Sequence, residues 1–120
     1  IDFSGFPAEL HRIVSYKAKW DEDSFEYHHT PRIFPDDLPE PLQQAMRHMA
    51  QDCFALFGLR DYARVDLRLD RQGCLTILEI NANPCLSPDA GFPAAVAESK
   101  MSYPEMIGEF LRLVSLRVAL

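Results

Sequence analysis

The stretch "ARVDLRLDRQGCLTILEINANP", from Ala63 to Pro84, constrains the fold more tightly than any other part of the chain. Apolar and charged residues alternate from Ala63 to Asp70, the two-residue period of a strand with one covered face. "DRQG" supplies a turn and "CLTILEIN" returns, so the segment is expected to be a β-hairpin. Ala63, Val65, Leu67 and Leu69 fall on one face of the first strand, and Arg64, Asp66, Arg68 and Asp70 on the other. On the second strand Thr76, Leu78 and Ile80 alternate with Leu75, Ile77, Glu79 and Asn81. The simplest turn pairs Leu69 with Cys74. Arg64 then lies opposite Glu79, Asp66 opposite Ile77 and Tyr62 opposite Asn81.

In that register Asp66 and Glu79 share a face as diagonal neighbours, roughly 7–8 Å apart between backbones. Two carboxylates and the Asn81 amide oxygen make an all-oxygen donor set. Such a set suits Mg2+, which takes few protein ligands and completes its octahedron with water and phosphate oxygens. Arg64 beside them can neutralise a carboxylate or hold a phosphate oxygen in its planar fork. The plainer alternative is a solvated face with Arg64–Glu79 as a cross-strand ion pair. Leu75 and Ile77, on the charged face in this register, weigh slightly against full solvation. Both readings stand at this point.

The rest of the composition narrows the field. A chain of 120 residues is one domain's worth of material, and a first residue Ile1 with no apolar or Arg-rich leader suggests a piece of a longer protein. No apolar run approaches the roughly 18–20 residues that span a bilayer, so a soluble protein is expected with no membrane partner. The formal charge of −6 repels phosphate backbones and argues against a nucleic-acid partner. Three cysteines, Cys53, Cys74 and Cys85, form no CxxC pair and fit a reduced, cytoplasmic setting.

Elsewhere "ELHRIVSYKAKW" (Glu9 to Trp20), rich in β-branched and aromatic residues, reads as a strand, and "DEDSFEYHHTPRIFPDDLP" as a long loop. Leu42, Ala45, Met46, Met49, Cys53, Phe54 and Phe57 recur at helical spacing, with Asp37 near the start and Gly58 as the stop. A short helix is expected near Ala94 to Glu98. A last one opens at Ser102, where "SYPE" is a capping box, and carries the stripe Met106, Ile107, Phe110, Leu111 and Val114. The order strand, helix, two strands, helix predicts an α+β layer with helices packed on one face of a mainly antiparallel sheet.

"RVD", a hairpin, then "LEINANP" resembles the C-terminal lobe of ATP-grasp ligases of the D-alanine–D-alanine ligase type. "SYKAKW" upstream is similar to that family's Y-x-A-K-aromatic loop, and "MSYPEMIGEFLRLV" to its last helix. The resemblance covers nearly all of residues 1–120 but only the later part of a whole ligase. It implies an ATP-grasp C-terminal subdomain; the N-terminal substrate domain and the nucleotide-lid lobe lie outside this chain.

The resemblance also implies roles. Asp66 and Glu79 would hold two Mg2+ ions (Mn2+ as an alternative), with Glu79 bridging and touching ATP phosphates and Asn81 completing the second site. Arg64 would steady the transferred phosphoryl group. Lys19 would contact phosphates or the reacting carboxylate. The chemistry would be phosphorylation of a carboxylate by ATP, then attack of an amine on the acyl phosphate, with a homodimer as in related ligases. Cys85 stands where the D-alanine enzymes have glycine, and Ala90 where they have serine, so a substrate other than D-alanine is expected. The fragment alone should have little or no ligase activity. A non-catalytic binding module and a phosphotransferase on the same fold are the alternatives. Among other residues, Trp20 is expected to pack its loop, Arg68 to form an exposed ion pair or to reach a phosphate, and Asn83 to brace the loop by backbone hydrogen bonds. His28 and His29 are not expected to share a metal. Cys85 has nothing nearby in sequence to lower its pKa.

Overall fold

In the computed structural model, which describes residues 1–118, the chain divides into two units, Ile1–Asp36 and Asp37–Leu120. The first unit departs from expectation. Glu9 to Trp20 is not a strand: residues 9–14 are irregular, and Tyr16–Trp20 is a short helix, α1. Ser15 has the extended backbone of an N-cap, and its hydroxyl accepts from the Ala18 amide at 3.4 Å. Lys17, Ala18 and Lys19 are good helix formers, and turning them places Ala18 inside. Within the expected loop lies a second short helix, α2 (Phe25–His28). Its cap Ser24 accepts from the Tyr27 amide at 3.1 Å and donates to the Asp21 carbonyl at 2.8 Å. Phe6 is the buried centre of this unit, edge-on to Phe3 and tilted against Phe25, on which the His29 ring stacks at 3.8 Å.

The second unit begins with α3 (Glu40–Leu56). Its N-cap is Pro39 and not Asp37; a proline there and at Pro41 tolerates the missing N–H groups of a first turn. The stop is the expected one. Gly58 has φ +59, and the Leu59 and Gly58 amides reach back to the Phe54 and Ala55 carbonyls at 3.0 and 3.1 Å, a Schellman closure. Of the apolar stripe, Cys53 is buried and Leu42, Met46 and Met49 half-buried, whereas Phe57 is exposed.

The hairpin follows as β1 (Arg64–Leu69) and β2 (Leu75–Asn81), one antiparallel pair, with α3 packed against β1. Its register corrects the expected one at two places. The Asp70 amide donates to the Cys74 carbonyl at 3.0 Å, and the Asp70 carboxylate accepts from the Gln72 and Cys74 amides, so the loop is one residue wider. Gly73, at φ +84, makes this turn possible. Leu69 therefore faces Leu75, and Leu67 faces Ile77. A β-bulge then leaves Leu78 unpaired, and Asp66 faces Glu79, Val65 faces Ile80 and Arg64 faces Asn81. Each shift turns the following residues to the opposite face. Leu75 and Ile77 thus join Leu67 and Leu69 on the apolar side, while Glu79 and Asn81 return to the side of Asp66 and Arg64.

Two further helices, α4 (Gly91–Glu98) and α5 (Tyr103–Val118), pack on each other. Tyr62 stacks on Phe110 at 4.4 Å, and Phe92 leans on both rings. Met106 is the most deeply buried side chain of α5, whereas Leu111 and Val114 from the expected stripe are exposed. The architecture is α+β as expected, with the sheet reduced to the hairpin. Among the described residues, no helix is long and apolar enough to cross a membrane.

The capping box of α5 forms as read. The Ser102 amide and hydroxyl donate to the Glu105 carboxylate at 2.7 and 2.6 Å, and the Glu105 amide donates back to the Ser102 hydroxyl at 3.4 Å. These bonds hold the Glu105 pKa below its ordinary value of 4.5. A carboxyl depressed in the folded state contributes stability above its unfolded pKa and loses it as pH falls through the folded one. Melting temperature should therefore drop as acid is added below about pH 4.5. Glu105→Gln, which still accepts from Ser102 but does not titrate, should weaken that acid dependence; thermal melts across pH 2–6 of both proteins check it.

Candidate functional site

Direct pairing brings Asp66 and Glu79 closer than the diagonal arrangement expected from sequence, since opposite residues in an antiparallel ladder have Cβ atoms roughly 4.5–5.5 Å apart. The next pair along the same face is Arg64 and Asn81. The four polar residues thus occupy two adjacent cross-strand pairs at the open end of the hairpin. The turn lies at the other end.

Arg64 is committed to Asp66 and not to Glu79. Its Nε donates to Asp66 Oδ1 at 2.7 Å and one terminal nitrogen to Oδ2 at 2.9 Å, so both carboxylate oxygens lie in the guanidinium fork. Each side chain of this pair is 36% exposed. Chiefly the Asp66 hydrogen bonds, with the Asp66 and Glu79 charges behind them, raise the Arg64 pKa above its ordinary value. The expected cross-strand Arg64–Glu79 pair is replaced by one along the strand, because Arg64 now faces Asn81.

Asn81 is held by the loop after it. Its Oδ1 accepts from the Asn83 amide at 2.9 Å, and the Asn83 side-chain oxygen accepts from the Tyr62 hydroxyl at 3.3 Å. Pro84 next to them is fully buried, which anchors the exit from β2. Tyr62 is the contributor that sequence reading did not single out. The signal was available in its position just before the strand, on the polar parity.

The donor set fits a small hard cation. Asp66, Glu79 and Asn81 offer only oxygens, and each Asp66 oxygen retains a lone pair beyond the one given to Arg64. Among the described residues, no group of three or more His, Cys, Asp or Glu side chains is placed to hold a metal, so a cation here would lean on the amide and on non-protein oxygens. Lys19 belongs to the other unit, in the last turn of α1, with an exposed side chain. Arg68 is on the same parity as Arg64 and Asp66 and faces Thr76. His28 stands edge-on to Tyr27, while His29 stacks on Phe25.

The loop into α4 holds the two positions read as departures. Cys85 is exposed, and its thiol donates to the Ser87 hydroxyl at 3.4 Å. Hydrogen bonds that Ser87 offers to the deprotonated sulfur, side chain first and then backbone, lower the Cys85 pKa from its ordinary value, a cause not seen in the sequence reading. Ala90 is the N-cap of α4 and has the extended backbone of that position without a capping side chain. Ala90→Ser should therefore stabilise the chain by about 1 kcal/mol through a hydroxyl bond to the first-turn amides. Urea unfolding of both proteins checks it.

Comparison with known proteins identifies the family. Residues 8–112 match the family model described as D-ala D-ala ligase C-terminus. A D-alanine–D-alanine ligase of Pelotomaculum thermopropionicum is 32% identical over 101 residues, covering 84% of this chain and 30% of its own length. The ligase of the same name from Alcanivorax borkumensis is 31% identical over 101 residues, covering 84% of this chain and 31% of its own. That of Desulforudis audaxviator is 32% identical over 112 residues, covering 90% of this chain and 35% of its own. The chain thus spans about a third of the length of the curated relatives it matches. With the matched region running from the first unit through most of α5, the chain belongs to the D-alanine–D-alanine ligase family, as its C-terminal, ATP-grasp part.

Proposed function

We propose that the polar face of the hairpin is the metal- and ATP-phosphate-binding part of an ATP-dependent carboxylate–amine ligase that works through an acyl phosphate. The observation that supports it most is the direct pairing of Asp66 with Glu79, with Arg64 and Asn81 as the adjacent pair on that face. Asp66, Glu79 and Asn81 would hold Mg2+, two ions with Glu79 shared. The bound cation supplies charge neutralisation to the phosphates. Arg64 offers a planar fork to the transferred phosphoryl group and Lys19 a mobile point charge to phosphate or carboxylate. Tyr62 and Asn83 keep the Asn81 oxygen in place. The substrate-binding and lid portions would come from the remainder of a longer protein.

The names of the relatives point to D-alanine as the substrate to try first. They lend no support to the different substrate expected from Cys85 and Ala90. We therefore read those two residues as changes within a D-alanine-type acceptor loop. The test is ATP turnover by the full-length protein with Mg2+, supplied with D-alanine, with other amino acids in pools, or with carboxylates that lack an amine. Turnover that needs both a carboxylate and an amine, with a ligated product by mass, supports the ligase. Turnover and a stable phosphoryl product with the carboxylate alone replaces it by a phosphotransferase. Nucleotide binding without turnover under any pool replaces it by a binding module.

A further inference from the structure

Arg64 and Asp66 are two residues apart on one strand, and nothing in the hairpin ladder requires their side chains to meet. Yet the guanidinium covers both oxygens of the carboxylate, at 2.7 and 2.9 Å, while Glu79 stands directly across from Asp66. One cation, the guanidinium, thus already occupies the charge environment of a carboxylate pair. A divalent ion shared by Asp66 and Glu79 would be brought next to that fixed positive charge. Either the two cations repel at close range or the guanidinium moves away.

We propose that Arg64 is a built-in counter-cation of Asp66 that yields its place when a divalent cation binds, so that cation binding frees the Arg64 fork for an anion. The proposal rests on the reading of Asp66 and Glu79 as a cation pair. It adds a coupling that neither role implies alone. While the fork is closed on Asp66, it has little to offer a phosphate. When Asp66 turns to a divalent ion, its hold on Arg64 weakens, and the guanidinium is left on the same face with its donors open. By linkage the coupling is reciprocal: an anion that captures Arg64 also frees Asp66 and tightens cation binding. The partial exposure of both side chains, 36% each, leaves Arg64 room to swing without disturbing the core. Arg64 is in this respect a positioning residue as well as an anion ligand. It keeps two like-charged carboxylates tolerable side by side before any cation arrives.

The experiment is Mn2+ binding to the full-length protein without nucleotide, followed by electron paramagnetic resonance of the free ion. Wild type, Arg64→Ala, Arg64→Lys and Glu79→Gln are compared, with far-UV circular dichroism to verify folding. An opposite charge at this range changes a carboxylate's binding equilibria by roughly tenfold or more. Arg64→Ala should therefore bind Mn2+ about tenfold more tightly than wild type. Arg64→Lys, which keeps a charge but loses the fork, should fall between them. Equal or weaker binding by Arg64→Ala overturns the counter-cation role. If Glu79→Gln still abolishes wild-type binding in that case, the cation pair itself stands. If neither wild type nor Arg64→Ala binds Mn2+, both readings fall together. A second readout does not depend on any substitution. The Arg64 Nε–H resonance of wild type, assigned by its loss in Arg64→Lys, should move toward a solvent-exposed shift on titration with Mg2+. A resonance that stays fixed while Mg2+ saturates the site overturns the proposal.

Discussion

Glu79→Gln in the full-length protein should lower Mg2+-dependent ATP turnover on the order of a hundredfold or more, with little change in thermal stability. The scale comes from comparison: residues that merely orient a metal ligand cost roughly 10–100-fold when replaced, and a ligand itself should cost at least the upper end. Glutamine keeps the shape and one neutral oxygen but removes the charge that a hard cation selects for. Glu79 is exposed on a strand, where such a change shifts stability by only about 0.5 kcal/mol. Lost turnover with an unchanged melting curve would thus report on the site. Asp66→Asn is the less clean probe, because it also removes the partner that Arg64 grips with two bonds. Raising Mg2+ should recover part of the Glu79→Gln loss, and a rate that is independent of Mg2+ would argue against the assignment.

The largest effect on folding is expected at Met106. Its side chain is 1% exposed and lies in the wall of an open apolar cavity of about 540 Å3 with Phe54, Phe92 and Phe110. Met106→Ala should destabilise by roughly 2–5 kcal/mol, the combined loss of buried surface and the added void. The neighbouring rings are already paired with one another, Tyr62 on Phe110 above all, so they have little freedom to collapse into the space. Met106→Leu keeps the volume and should cost less than about 1.5 kcal/mol. Urea unfolding followed by circular dichroism distinguishes the two. For a domain whose whole stability is about 5–15 kcal/mol, the alanine variant removes a large share.

Local signals were the legible part of this sequence. Gly58 as a helix stop and the Ser102–Glu105 cap could be read because each rests on contacts within a few residues. The strand expected from Glu9 to Trp20 failed because a β-branched and aromatic composition competes poorly with a five-residue helix that Ser15 caps and that places Ala18 inside. Propensity over so short a span does not outweigh packing. The membership of the polar face was legible too, since Arg64, Asp66, Glu79 and Asn81 do share it. The register was not, because it depends on a loop one residue wider and a bulge that only the assembled ladder reveals. Leu75 and Ile77 held the clue: two apolar residues on a charged face are what a hidden change of parity leaves behind. The two slips cancel by Glu79, which is why the donors were grouped correctly from the wrong pairing.

The unpaired Leu78 also sets rules for how this hairpin can change in length. Deleting it alone would leave a regular ladder in which Asp66 still faces Glu79 and Arg64 still faces Asn81. A single residue added between Gly73 and Ile77 and taken up by the ladder, with the bulge kept, would instead carry Glu79 and Asn81 to the opposite face from Asp66. Among descendants of this chain, loss of the bulge residue should be the single-residue length change that the polar face tolerates, and single insertions or deletions elsewhere in the paired part of β2 should be rare.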